Sequence, residues 1–204
     1  MGRDSPGQRQ MRMRIAQIAA RIMAEDGIDD FALAKRKAAR QTGAPDTRNM
    51  PDNVEVEQAL REYRDLYQAG EHAQRLAALR QAALRVMQLL ATYDPHLVGP
   101  VLTGTAGRYA CIDLHLFTDD PKELEMFLIN RRIEFRPREA RVHVGGAMRT
   151  VPGVEFDWDD AEFKMLVFSR RDLRLGIRLG SEGRAQEGVR ADAVEKMLPS
   201  PAHG

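Results

Sequence analysis

The sequence predicts an α+β protein, a helical N-terminal half followed by a small mixed-sheet domain. Two periodicities and the break between them carry that expectation. Through the first 95 residues, apolar side chains recur every three or four positions, the spacing of one helix face. After Asp94-Pro95 the period falls to two, as in strands with one buried face. The chain of 204 residues is 43% hydrophobic, enough for a core in one or two domains. The expected division is a helical module over 1–95 and an α+β domain over 96–204.

Met11, Ile15, Ile18 and Ile22 form the stripe of a first helix, which Gly27 stops. Asp29 or Asp30 caps a second helix, from about Phe31 to Thr42, closed by Gly43. A loop with Pro45 and Pro51 follows. Asp52 or Asn53 then caps a third helix, with Val56, Leu60, Tyr63 and Tyr67 on one face and Gly70 at its end. A fourth helix, about His72 to Thr92, buries Leu76, Leu79, Ala83, Val86 and Leu90. Leu97 to Thr103 has strand character, at an edge or a bulge because Pro100 lies inside it. Gly104-Thr105-Ala106-Gly107 is a turn, and Cys111 to Phe117 is the clearest strand. Asp119 or Asp120 caps a helix that starts with Pro121 and runs to about Asn130. Strands are expected over Glu139–Val144, Val154–Trp158 and Phe163–Phe168. A glycine-rich loop over Gly176–Gly188 and a short helix over Ala191–Leu198 complete the chain.

Composition narrows the function classes. Lys and Arg number 31 against 30 Asp and Glu, a net charge of +1. That balance excludes a uniformly basic nucleic-acid coat but leaves room for a local basic patch. Cys111 is the single cysteine, so no intramolecular disulfide and no cysteine-cluster zinc site can form. No apolar run approaches the roughly 20 residues of a membrane helix. Residues 1–7 lack the apolar stretch of a signal peptide, so a soluble cytoplasmic protein without membrane contact is expected. A Gly-x-x-x-x-Gly-Lys-Ser/Thr loop is missing, which argues against a P-loop ATPase or ligase.

The stretch that carries chemistry is Gly104-Thr105-Ala106-Gly107-Arg108-Tyr109-Ala110-Cys111-Ile112-Asp113-Leu114. Ile112, Leu114 and Leu116 share one strand face and must meet the core. Cys111, Asp113 and His115 share the other face and are expected to line a cleft or open surface. The backbone N–H groups of the Gly-Thr turn lie beside them, and such turns can cradle a phosphate. Cys111, Asp113 and His115 span about 13 Å along the strand, too far to share one transition-metal ion.

This stretch resembles the Gly-Ser, spacer, Asp-x-Asp motif of the nucleotidyltransferase superfamily of polymerase-β-like enzymes. Gly104 and Thr105 stand at its Gly-Ser pair, and Cys111 and Asp113 at its two carboxylates. From about Arg14 to Leu198, including Ala34-Lys35-Arg36-Lys37-Ala38-Ala39, the chain also resembles a little-studied proteobacterial family carrying this domain. The resemblance implies nucleotidyl transfer from a nucleoside triphosphate, with Gly104 and Thr105 holding phosphates and Asp113 as catalytic residue and metal ligand. Such chemistry uses two Mg²⁺ ions roughly 4 Å apart, held by hard oxygen ligands. Cys111 offers a thiol, a poor Mg²⁺ ligand, at one carboxylate position. A third carboxylate would come from a later strand. Phe163–Phe168 has Lys164 at its polar position instead, so Asp157 is the best substitute. Two readings follow: a weak transferase using Mg²⁺, or a nucleotide-binding protein that has lost the reaction and needs no cofactor.

A separate feature is the basic second helix, with Lys35, Arg36, Lys37 and Arg40. Two helices around a glycine turn resemble the start of bacterial helix-turn-helix regulators. The next segment is interrupted by prolines and the following helix is acidic, through Glu55, Glu57, Glu62 and Asp65. The alternatives are therefore a nucleic-acid-binding regulator using the four basic residues, a solvated helix face, and a non-catalytic interaction protein.

Overall fold

The computed structural model describes residues 6–28, 30–44, 49–67, 69–179 and 187–199. Asp29, Pro45 and residues 180–186 of the expected glycine-rich loop lie outside the described residues. The protein is α+β, with helices first and a six-stranded mixed sheet after them. It divides into two compact units. One comprises the described residues of Met1–Ala73 together with Gly107–Tyr109; the other comprises those of Gln74–Ala106 and Ala110–Gly204. The division falls inside the fourth helix, not at residue 95, because most of that helix buries its apolar side in the sheet unit's core.

In the first unit, helices α1 (Pro6–Asp26), α2 (Phe31–Gln41) and α3 (Asn53–Tyr67) enclose a core of their own. Ile15, Ile22, Met23, Val56 and Leu60 supply its bulk, and Ala16, Ala19, Ala34, Ala38 and Ala39 let the helices approach closely. The ends follow local chemistry. Asp30 caps α2 by accepting a bond of 3.0 Å from the Leu33 amide. Asp52 and Glu55 cap α3 reciprocally: the Glu55 amide donates to Asp52 at 2.8 Å and the Asp52 amide to Glu55 at 2.9 Å. Tyr63 is held by a 2.6 Å hydrogen bond to Glu25, whereas Tyr67, expected on the same buried face, is exposed.

Helix α4 (Ala69–Leu89) leads through a 3-10 turn at Ala91–Tyr93 into β1 (His96–Val98). A short helix, α5 (Gly99–Thr103), then precedes β2 (Ile112–Phe117). The expected strand over Leu97–Thr103 is thus cut after Val98. Gly99 turns the backbone at φ +71°, and Pro100 fits the first turn of a helix, where an N–H has no partner to lose. Helix α6 (Pro121–Asn130) starts on Asp120, which accepts from the amides of Lys122 and Glu123. Strands β3 (Arg136–Val144) and β4 (Ala147–Trp158) form a hairpin on Gly145-Gly146, both at positive φ. Next come β5 (Ala161–Phe168), a 3-10 turn at Arg170–Arg174, β6 (Ile177–Leu179) and α7 (Ala191–Lys196).

The sheet order is β1-β2-β5-β4-β3-β6. Only the β2–β5 pair is parallel, with Asp113 opposite Lys164 and Leu114 opposite Met165. One sheet face carries Ile112, Leu114, Leu116, Val154, Phe156, Phe163 and Met165. It packs in one cluster with Ala83, Val86 and Met87 of α4, Leu90 just after it, and Leu124 and Leu128 of α6. The free edge of β1 is bridged by Val189, whose N–H and C=O both bond Leu97.

Candidate functional site

The second face of the sheet carries the residues singled out by the motif. The period of two puts Cys111, Asp113, His115 and Phe117 on it, as the sequence requires, but their surroundings diverge along the strand. Cys111 and Asp113 are half-buried, whereas His115 is only 3% exposed. The expected open surface therefore ends at Asp113. Beyond it a second apolar layer of Phe117, Val142, Val144, Val151, Leu166, Phe168 and Ile177 closes the face. The His115 ring lies 4.8 Å from that of Phe168, tilted by 61°. Burial, with a smaller push from His96, lowers the His115 pKa to about 4, and its Nε2 has no hydrogen-bond partner.

Asp113 is placed by β2 between Val98 of β1 and Lys164 of β5. Its carboxylate covers Gly99: a Cβ built there would meet the Asp113 Oδ2 at 2.7 Å. Gly99 is doubly required, by its positive φ and by that approach. Nothing in a sequence pattern read at period two points to it.

Lys164 sits beside Cys111 and lies 3.7 Å from Glu162. Burial works against its charge, but Cys111 and the carboxylates of Glu162 and Glu155 outweigh that and raise its pKa. Burial also raises the Cys111 thiol pKa; nearby Asp113 adds to the rise and Lys164 opposes it. Cys111 is accordingly a protonated thiol at neutral pH. Farther across the face, Glu155 pairs with Arg138 at 3.1 Å and Asp157 with Arg136 at 3.8 Å.

Asp157 does not join Asp113. It stands on β4, paired with Glu162 of β5 and two strands from β2, which separates the backbones by about 10 Å. Two Mg²⁺ ions about 4 Å apart need shared carboxylates, whereas the residue two before Asp113 on its face is the Cys111 thiol and the residue opposite it on β5 is Lys164. These residues do not fit a two-Mg²⁺ centre. Among the described residues, no group of three or more His, Cys, Asp and Glu side chains is arranged to hold a metal.

The Gly-Thr turn has a different role from the expected cradle. The Gly104 and Thr105 amides both bond the Pro100 carbonyl, Thr105 at 2.9 Å. Thr105 is buried, and its hydroxyl shares a 2.8 Å hydrogen bond with Thr103. Arg80 of α4 donates to the Val101 and Leu102 carbonyls, at 3.1 Å each. Turn and guanidinium together close the C-terminus of α5, so neither amide remains to meet a phosphate.

The basic helix is thinner than its sequence implies. Lys35 is buried and the exposed Lys37 lies 3.7 Å from Asp26, while Arg36 and Arg40 are exposed cations one turn apart. Comparison with protein-family models, curated proteins and solved structures found no match to this chain. Among the described residues, no helix is long and apolar enough to cross a membrane.

Proposed function

We propose that this chain is a nucleotidyltransferase-like protein that binds a nucleoside triphosphate without two-metal nucleotidyl transfer. The observation that carries the reading is the pairing of Asp113 on β2 with Lys164 on the parallel neighbour β5. A strand, a Gly-Thr turn and a second strand bearing Asp113 are the elements of the resemblance. The flanking strand brings an ammonium where a two-metal enzyme of this class would use a third carboxylate. Lys164 stays protonated at neutral pH and is a fixed counter-charge for phosphate oxygens. Asp113 is an acceptor for ligand hydroxyls, and the missing side chain at Gly99 gives its carboxylate room.

Calorimetric titration of the full chain with ATP, GTP, CTP and UTP tests this, each with Mg²⁺ and with EDTA. The expected result is binding that EDTA leaves intact and that Lys164→Ala and Asp113→Ala each weaken about tenfold, the loss of one charge-assisted hydrogen bond. Labelled nucleotide is not transferred to an acceptor in either condition. Binding that requires Mg²⁺, or measurable transfer, overturns the non-catalytic reading. Absence of binding to all four nucleotides overturns the site. Nucleic-acid binding through Lys35, Arg36, Lys37 and Arg40 draws less support, since only Arg36 and Arg40 are both exposed and outside an ion pair with Asp26.

A further inference from the structure

Where α6 passes into β3, residues 131–136 and the end of β4 line an open cleft of about 400 Å³. That volume is in the range of small-ligand sites, about 300–1,000 Å³. Arg131, Arg132 and Arg136 line it, against two carboxylates, Glu134 and Asp157. Two aromatic rings, Phe135 and Trp158, pack against the core on one side and line the cleft on the other. Arginines alone have an ordinary explanation here, since cations near a helix C-terminus offset its dipole. Three carbonyls in the last turn of α6 are already bonded, however. The amides of Arg131, Arg132 and Ile133 donate to Phe127, Ile129 and Leu128, at 3.1, 2.9 and 3.0 Å.

Arg132 makes the stronger case. It holds φ at +57°, the left-handed position after a helix that glycine fills without strain. A long cationic side chain is kept at a backbone position that disfavours one, and that side chain lines the cleft. Arg131 is steadied over the Phe127 ring, 5.1 Å from its centroid. The Arg136–Asp157 contact, at 3.8 Å between largely exposed groups, is loose enough for a stronger anion to displace.

We propose that this cleft binds a nucleotide, its phosphate on Arg132 and Arg136 and its base against Trp158 and Phe135. Guanidinium groups match phosphate oxygens in pairs, and aromatic faces stack on any base. The chemistry is the same for a free mononucleotide and for one unit of a single strand. The inference does not depend on the reading of Asp113.

Trp158 is the chain's single tryptophan, so its fluorescence reports on the cleft alone. The full chain is titrated with UMP, uridine, inorganic phosphate and a short oligouridylate. UMP quenches Trp158, and uridine and phosphate each bind at least tenfold more weakly. Arg132→Gly and Arg136→Ala each weaken UMP about tenfold. Arg132→Gly stays folded because glycine relaxes the backbone there. Lys122→Ala, which removes an equal charge from the other end of α6, leaves UMP affinity unchanged. An oligouridylate that displaces UMP supports the site and assigns it to a strand; one that does not supports it and assigns it to the free nucleotide. Absence of quenching by UMP overturns the proposal, as does equal binding of uridine. So does an equal loss in Lys122→Ala and Arg132→Gly, or a loss in Asp113→Ala that Arg132→Gly does not share.

Discussion

Asp113, with Cys111 just before the start of β2, shares a sheet face with His115 and Phe117, yet the two pairs occupy different environments. At the first pair the face is half-open and charged, with Lys164, Glu162 and Glu155 across the neighbouring strands. At the second pair it is sealed by the Phe168, Leu166 and Val151 layer. The difference teaches that strand alternation assigns a face but not its cover. The cover comes from β5, β6 and the β3–β4 hairpin, all of which follow β2 in the chain. A charged group tolerated at position 113 would be an unpaired buried charge two residues on.

The largest effect comes from breaking the sealed end. Phe168 is fully buried, stacks on Phe117 at 5.8 Å and touches His115. Phe168→Ala is expected to cost about 3–5 kcal/mol in urea unfolding, because the rigid layer around it cannot collapse into the cavity. A comparable loss at the open end, in Asp113→Ala, would erase the contrast between the two.

A smaller effect follows from protonating His115. Its folded pKa of about 4 lies below the unfolded value near 6.5, so between those values the unfolded chain binds more protons. Stability is complete above about pH 6.5 and falls as pH drops toward 4, by up to about 3 kcal/mol. Denaturation midpoints measured across that window check this, and His115→Leu should flatten the fall. A fall that persists undiminished in His115→Leu would show that the sealed end does not hold the histidine neutral.

The smallest effect sharpens the open end. Cys111 should alkylate slowly with iodoacetamide at neutral pH, because burial and Asp113 hold its thiol protonated. Lys164→Met removes the one group that favours the thiolate, and should slow alkylation further and move its pH midpoint upward. Faster alkylation in Lys164→Met would mean that Lys164 shields the sulfur sterically instead.

Local signals explain what was legible. Asp30, Asp52 and Asp120 mark their helix starts because a short side-chain acceptor satisfies amides within the next turn, a contact contained in four consecutive residues. The stripe of α1 and the alternation of β2 are equally local. Strand β4 was half hidden: Pro152 and Gly153 interrupt its pattern, yet Gly153 sits mid-strand because a side chain there would strike the Met165 carbonyl of β5. Strand β6 lay unseen in the glycine-rich stretch, since its pairing with Val142–Val144 of β3 is non-local.

The sequence by itself determined the α+β class, most helix caps and the face on which Asp113 stands, because each depends on periodicity or on neighbours a few residues away. It also determined that Cys111 shares the face of Asp113 and that the strand Phe163–Phe168 carries Lys164, not an acid, at its polar position. Only the tertiary structure decided that Asp157 lies two strands from Asp113 and that the Gly104 and Thr105 amides close α5. It alone decided that His115 is sealed and that three arginines meet Trp158 around one cleft. Those outcomes depend on strand order and register, which long-range packing sets and which no local pattern encodes.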